Sequence, residues 1–310
     1  MAEDHLLWRR ASEALVEAAL ALASGTQSYE AKVAEGLALE LQVKDAEAEA
    51  SLREAIAWKP DAWEAHVWLG RLLVRTLRHE DGVNELRRAV ALDPNGPEPT
   101  YELARTLPAN SESRMLLEHA IHERPSYLLA LLRLADVDLE LEQLAPARQA
   151  AEAALKLGAS EPSAYVVMGR VSLVEGKPDL ALSAGQKALA LVPNSAGAKL
   201  LVADAYASKG DIDPAIESYQ AAYWLDSSDA TPLVRASVAC HTAGRDTSAR
   251  AFGERATHDF PDWAPGWVAL GDVLAGQGEV SQARTAYGAA LKSTGPIDTA
   301  TVRTKLSALR

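Results

Sequence analysis

Small residues return down this chain at a nearly fixed interval: Gly36, Gly70, Ala104, Ala135, Gly169, Ala203, Ser237 and Gly271. Every step is 34 residues except the one from Ala104 to Ala135, which is 31. A second series runs in phase through Ala55, Ala89, Ala120, Ala154, Ala188, Ala222, Ala256 and Ala290. Self-similarity at this period predicts stacked helical hairpins. In such an array each unit packs on its neighbours, so one core lengthens with the chain. Arrays of this kind present surfaces and seldom carry chemistry of their own.

Composition fits close helix contact, since 48% of residues are hydrophobic and only 5% aromatic. The interior must therefore be built from Ala, Leu and Val. Net charge is −12, with −11 in residues 1–155 and −1 in residues 156–310. An acidic chain without a basic stripe argues against nucleic acid as partner. The lone Cys240 excludes an internal disulfide and a cysteine-built zinc site. No apolar run reaches the roughly 18–20 residues that span a bilayer, so no direct membrane insertion is expected. The start, Met-Ala-Glu-Asp-His, is acidic where a signal peptide is basic, and Glu17 interrupts the apolar stretch that follows. The expectation is a cytoplasmic protein; a periplasmic or exported chain stripped of its signal reads the same way.

The segment Ala196–Asp229 shows the unit most clearly. Val202, Ala203 and Tyr206 share one face of a first helix. Gly210 suits a left-handed helix end, and Pro214 falls in the first turn of a second helix. Ala215, Tyr219 and Ala222 mark the buried stripe of that helix. The turn glycine repeats as Gly176, Gly210, Gly244 and Gly278, while the first half has Gln42–Asp45 and Leu77–Glu80 in those places. Proline punctuates the joints at Pro60, Pro94, Pro125, Pro193 and Pro261, and is missing at Ala159 and Ser227.

This pattern resembles the tetratricopeptide repeat (TPR) family. Its first-helix signature is met by Lys199, Val202, Ala203 and Tyr206, and by Trp267, Leu270, Gly271 and Leu274. Its second-helix signature is met by Ala215, Tyr219 and Ala222, and by Ala283, Tyr287 and Ala290. The resemblance implies an all-α fold, a right-handed superhelical solenoid of stacked helix-turn-helix repeats. It covers residues 29–297 as eight units: 29–62, 63–96, a shortened 97–127, 128–161, 162–195, 196–229, 230–263 and 264–297. An N-terminal capping helix is expected within 1–28, with Leu6, Leu7, Leu15, Val16 and Leu20 as its apolar candidates. A closing helix is expected over 298–310, capped by Asp298 or Thr299. Ala104 to Ala120 is 16 residues where other units have 19, so the stack should be least regular around Leu107–Ser111.

The resemblance also implies that first helices line the concave wall, with the residues three before and one after each small position facing it. The first offset gives Val33, Val67, Tyr101, Leu132, Val166, Leu200, Val234 and Val268, an apolar ribbon. The second gives Leu37, Arg71, Arg105, Asp136, Arg170, Asp204, Val238 and Asp272, a charged ribbon that is basic early and acidic late. Such a groove suits a peptide or amphipathic helix of a partner protein, acidic near Arg71 and Arg105 and basic near Asp204 and Asp272. The competing reading is that the apolar side chains touch only neighbouring helices and the charges pair across the groove. Two ligand devices of the resembled family, a Lys/Asn carboxylate clamp and an Asn ladder, are not available, because Asn84, Asn95, Asn110 and Asn194 fall on a second helix or at joints and turns.

No phosphate loop, nucleophile elbow or metalloprotease motif occurs. His119 and His122 share a helix face without further ligands, which reads as a surface pair. Cys240 falls in a core position, so its neighbour His241 makes no catalytic pair with it. Trp58, Trp63 and Trp68 crowd the first joint, where packing and an interface anchor are equally open. The expectation is a non-enzymatic scaffold or adaptor without cofactor or metal. The alternatives are a self-assembling, homo-oligomeric protein, and a regulatory or substrate-recruiting subunit of an enzyme or cell-envelope assembly machine.

Overall fold

The computed structural model describes residues 28–309. Among them lie seventeen helices and no strand. The first compact unit ends at Gly158 and the second begins at Ala159. The first holds α1 (Tyr29–Leu41), α2 (Asp45–Trp58), α3 (Trp63–Arg75), α4 (His79–Leu92), α5 (Pro97–Thr106), α6 (Ser111–Glu123), α7 (Leu128–Glu140) and α8 (Leu144–Leu157). The second holds α9 (Pro162–Val174), α10 (Pro178–Leu191), α11 (Ala196–Lys209), α12 (Ile212–Leu225), α13 (Thr231–Thr242), α14 (Asp246–Asp259), α15 (Ala264–Gly276), α16 (Val280–Ala290) and α17 (Thr299–Ala308). Each odd helix from α1 to α15 packs on the even helix that follows, so each unit is a solenoid of hairpins. The N-terminal helix expected within 1–28, with its apolar candidates, lies outside the described residues.

The two series of small residues are buried throughout. Their spacing matters because a large residue of the second helix fills the space they leave. A Cβ on Gly36 would lie 2.7 Å from Leu52 Cγ, one on Gly70 2.7 Å from Leu86 Cγ, and one on Gly271 2.6 Å from Tyr287 Cε1. A third small series emerges beside them: Ala48, Gly82, Ser113, Ala147, Ala181, Ala215, Ala249 and Ala283 are all buried. At Gly82 an added Cβ would lie 2.7 Å from the Gly70 carbonyl, so α4 approaches α3 closely there.

Seven hairpins close with the same turn. Its two hydrogen bonds run, for example, from Gly210 N to Ala207 O at 3.0 Å and from Asp211 N to Tyr206 O at 2.9 Å. That is a helix end with one left-handed residue. Gly176, Gly210, Gly244 and Gly278 supply it at φ of 70, 81, 70 and 79°. In the first unit Val43, Leu77 and Glu142 occupy it instead, at 60, 64 and 59°. The turn is thus kept where glycine is absent, at a steric cost of about 1–2 kcal/mol per residue. Leu77 is 92% exposed and gives nothing back through packing. Leu77→Gly is therefore expected to raise stability by about 1 kcal/mol, read from the thermal midpoint.

The shortened repeat loses its residues from the first helix. α5 has 10 residues against 13 in α3 and α7, and Leu107–Asn110 leads to a capping box between Asn110 and Ser113 at the start of α6. Its consequence appears along the row of first helices: α1 packs on α3 and α3 on α5, while α5 and α7 meet far less. In the second unit the row is unbroken, α9 on α11, α11 on α13 and α13 on α15. At the far end Asp298 caps α17 by accepting from Ala300 N and Thr301 N. Val302 of α17 buries itself with Leu270, Leu274 and Tyr287.

Candidate partner-binding faces of the two units

First helices line one side of each unit, because they pack on one another while second helices alternate behind them. In the first unit the apolar positions on this side are not a ribbon open to solvent. Val67, Tyr101 and Leu132 are 5, 2 and 8% exposed. Val67 joins Leu86, Leu103 and Leu107 in a core cluster. The Tyr101 ring packs 5.0 Å from that of Tyr127. The expectation of an exposed stripe is corrected here, because successive first helices lie close enough to cover one another's side chains. In the second unit Val166, Leu200, Val234 and Val268 are half-buried. Leu200 and Val234 lean on the cluster around Tyr219 and Cys240, and Val268 leans on the cluster around Tyr287. Only Val238 among the predicted wall residues is substantially exposed.

The charged positions sit in networks with the chain's own side chains. In the first unit Arg71 (α3) and Arg105 (α5) converge on Glu102, whose Oε2 lies 3.7 Å from Arg71 Nε and 2.7 Å from Arg105 Nε. The Arg71 guanidinium also lies over the Trp68 ring, 4.7 Å from its centroid. Arg133 (α7) reaches the Leu107 carbonyl at 3.4 Å, where the shortened helix ends. Asp136, on the same helix, is half-buried.

The second unit repeats one arrangement twice. Asp204 (α11) accepts from Tyr219 Oη at 2.8 Å and pairs with Arg235 (α13). Asp272 (α15) accepts from Tyr287 Oη at 2.6 Å and from Lys305 Nζ (α17) at 2.7 Å. Each acid is thus held by a tyrosine of its own hairpin and a cation from the helix that follows in the row. Burial pushes the Asp204 carboxyl above the usual carboxylate range, although Arg235, Tyr219 and Arg170 pull the other way. Burial likewise raises both tyrosine hydroxyls, so both stay protonated donors.

Glu102, Arg133 and Arg235 went unread in the sequence. Each lies two residues before its small position, one helical turn from the residues at the other offset. That offset would have found them. Elsewhere, Cys240 is buried and burial raises its thiol. His119 Nε2 lies 2.8 Å from the Pro94 carbonyl. Among the described residues no three His, Cys, Asp or Glu are grouped to hold a metal, and no helix is long and apolar enough to cross a membrane. Trp58 is partly exposed, and Trp63 and Trp68 are half-buried in the joint.

The tetratricopeptide repeat family model matches residues 46–97, 132–196 and 166–233. No curated protein matches the chain. Among solved structures it is similar to yeast Tom70, with TM-score 0.63 and 14% identity over 92% of this chain and 64% of that one. It therefore spans just under two thirds of the Tom70 chain. It is also similar to a tetratricopeptide repeat protein from Parabacteroides merdae, with TM-score 0.53 and 15% identity over 90% of this chain and 97% of that one. A third similarity is to the Cut9–Hcn1 hetero-tetramer of the APC/C, with TM-score 0.67 and 14% identity over 84% and 52%. At these identities the likeness is one of fold. Repeats of this kind serve in general as scaffolds for contact between proteins. The buried small series, the recurring turn and the family match agree, and this chain belongs to the tetratricopeptide repeat family.

Proposed function

We propose that the protein is a non-enzymatic scaffold whose first-helix faces hold a peptide or helical segment of a partner protein. The observation that supports this most is the ordered charge on those faces. Asp204 and Asp272 are each fixed by a tyrosine and a cation, and Arg71 by Trp68 and Glu102. Side chains already held in place lose little entropy when a partner arrives. Because three of the apolar wall positions are buried, affinity in this reading comes mainly from polar contacts, with Val238 as an exposed apolar addition.

The test is reversed charge at Arg71, Arg105, Asp136 and Asp204 together, with circular dichroism confirming retained helicity. Native partners captured by the wild-type chain should be lost by the variant; undiminished capture ends the reading. A cytoplasmic site of action belongs to the same reading, and fractionation of native cells checks it. One observation favours self-association as a second reading. Trp224 is 69% exposed beside Tyr223, and the Arg255 guanidinium lies over both rings. Aromatic and arginine side chains are enriched at interface hot spots. Light scattering that shows a monomer at all concentrations, in wild type and Trp224→Ala alike, removes that reading.

A further inference from the structure

Two hairpin turns of the first unit hold large apolar residues where the turns of the second unit hold glycine. Val43 and Leu77 sit at φ of 60 and 64° and are 75 and 92% exposed. A valine or leucine in left-handed backbone is a genuine outlier, and glycine would make the same turn without strain. Neither side chain recovers that strain by packing within the chain. Strained residues of this kind collect at ligand-binding sites.

The two turns lie side by side. Arg75, two residues before Leu77, reaches Asp45 at 2.6 Å and Glu40 at 3.3 Å, one on either side of Val43 in sequence. Arg78, just after Leu77, reaches Glu49 at 2.9 Å. These ion pairs cross from one hairpin to the next and make Val43 and Leu77 neighbours along one edge. Leu41, also exposed, stands two residues before Val43.

We propose that this turn edge docks a basic amphipathic helix of a partner protein. The edge is separate from the first-helix faces, so it stands whether or not those faces hold a partner. Its spacing suits a helix. α1 and α3 pack on one another, and packed helices lie about 8–10 Å apart. Residues seven apart on a helix share nearly one face and are separated by about 10 Å. A helix laid across the edge can therefore set one apolar side chain on Val43 and another on Leu77. Charge complementarity selects its sign. Residues 40–49 and 75–81 together hold six carboxylates and three cations. Two of those cations, Arg75 and Arg78, are already engaged by acids, while Glu47 and Glu80 are exposed. The surrounding half of the chain, at −11, adds to this field. It attracts a basic segment and repels a second copy of the same edge.

The probe is a fluorescein-labelled eighteen-residue helix of leucine and lysine, with its leucines at helical spacing on one face. One control replaces the lysines by glutamate, and another replaces the leucines by serine. All three are titrated against the full chain by anisotropy. The leucine–lysine helix is expected to bind at least tenfold more tightly than either control. Val43→Gly combined with Leu77→Gly should weaken it at least tenfold. The thermal midpoint of that variant should stay at or above the wild-type value, because glycine fits both turns. Trp224→Ala, at an exposed apolar residue of the second unit, should leave binding unchanged.

Equal binding of either control overturns the proposal, and so does the absence of binding by the leucine–lysine helix. These outcomes need no variant, so misfolding cannot obscure them. Undiminished binding by the double glycine variant overturns it as well, since the helix then sits elsewhere. Light scattering of the chain alone decides the other occupant: a dimer that the double glycine variant dissolves makes a second copy the partner of this edge, and the proposal falls.

Discussion

Arg114→Ala is expected to cost about 3–5 kcal/mol, more than half the stability of many domains. Arg114 (α6) places Nε 2.7 Å from Oδ1 of Asp138 (α7), which is 1% exposed. The other oxygen, Oδ2, has no hydrogen-bond partner, so Arg114 supplies the counter-charge in contact with this buried carboxylate. Removing it leaves that charge uncompensated in low dielectric. Replacing both residues, by Arg114→Met with Asp138→Leu, should recover most of the loss, since an ion pair taken out whole often costs little. The pH dependence gives an independent check. Burial raises the Asp138 carboxyl, opposed by Arg114. An acid raised in the folded state binds its proton more readily there, so its contribution to stability falls as pH rises through the unfolded value towards the folded one. Without Arg114 the rise is larger, and acidifying from neutral pH should narrow the deficit of the variant. Urea midpoints measured across that range decide it; a deficit below about 1 kcal/mol at neutral pH would mean that water reaches Asp138.

Gly82→Ala should destabilise by about 2 kcal/mol even though alanine is the better helix former by about 1 kcal/mol. A Cβ there would stand 2.5 Å from Val74 Cγ2, 2.7 Å from the Gly70 carbonyl and 3.0 Å from Val74 N. Two of those atoms are backbone and cannot step aside by changing rotamer. Gly288, in α16, has nothing within 4 Å of its built Cβ. Gly288→Ala should therefore stabilise by roughly 0.5–1 kcal/mol. Opposite shifts of the melting temperature in one protein separate close approach from propensity. If both substitutions stabilise, helices α3 and α4 are not packed as tightly as the distances say.

Much of this architecture was legible because burial in hairpin arrays is periodic. Gly36, Gly70 and Gly271 could be picked out without coordinates, since only a small residue leaves room for Leu52, Leu86 or Tyr287. The turn glycines were readable for the same reason: left-handed backbone favours glycine. Val43, Leu77 and Glu142 were not readable, because the surrounding hairpin imposes that conformation against local preference. Gly82 escaped notice although it belongs to a series, since most of its counterparts are alanine and alanine is common here. The faces were harder. An offset from the small positions located Arg71, Arg105, Asp204 and Asp272, but exposure and pairing depend on how closely neighbouring hairpins approach. That distance buried Val67, Tyr101 and Leu132 and brought Arg235 and Lys305 to the acids.

By itself, then, the sequence determined the helical hairpin, its length, its turns and the residues on its inner stripe. These follow from spacing along one helix, and 3.6 residues per turn is a property of the local chain. Tertiary structure alone decided the division at Gly158 and Ala159, a joint without proline. It also decided which charges are paired within the molecule. Those outcomes depend on contacts between residues about one repeat apart in sequence, where a shift of an ångström turns an ion pair into an open site.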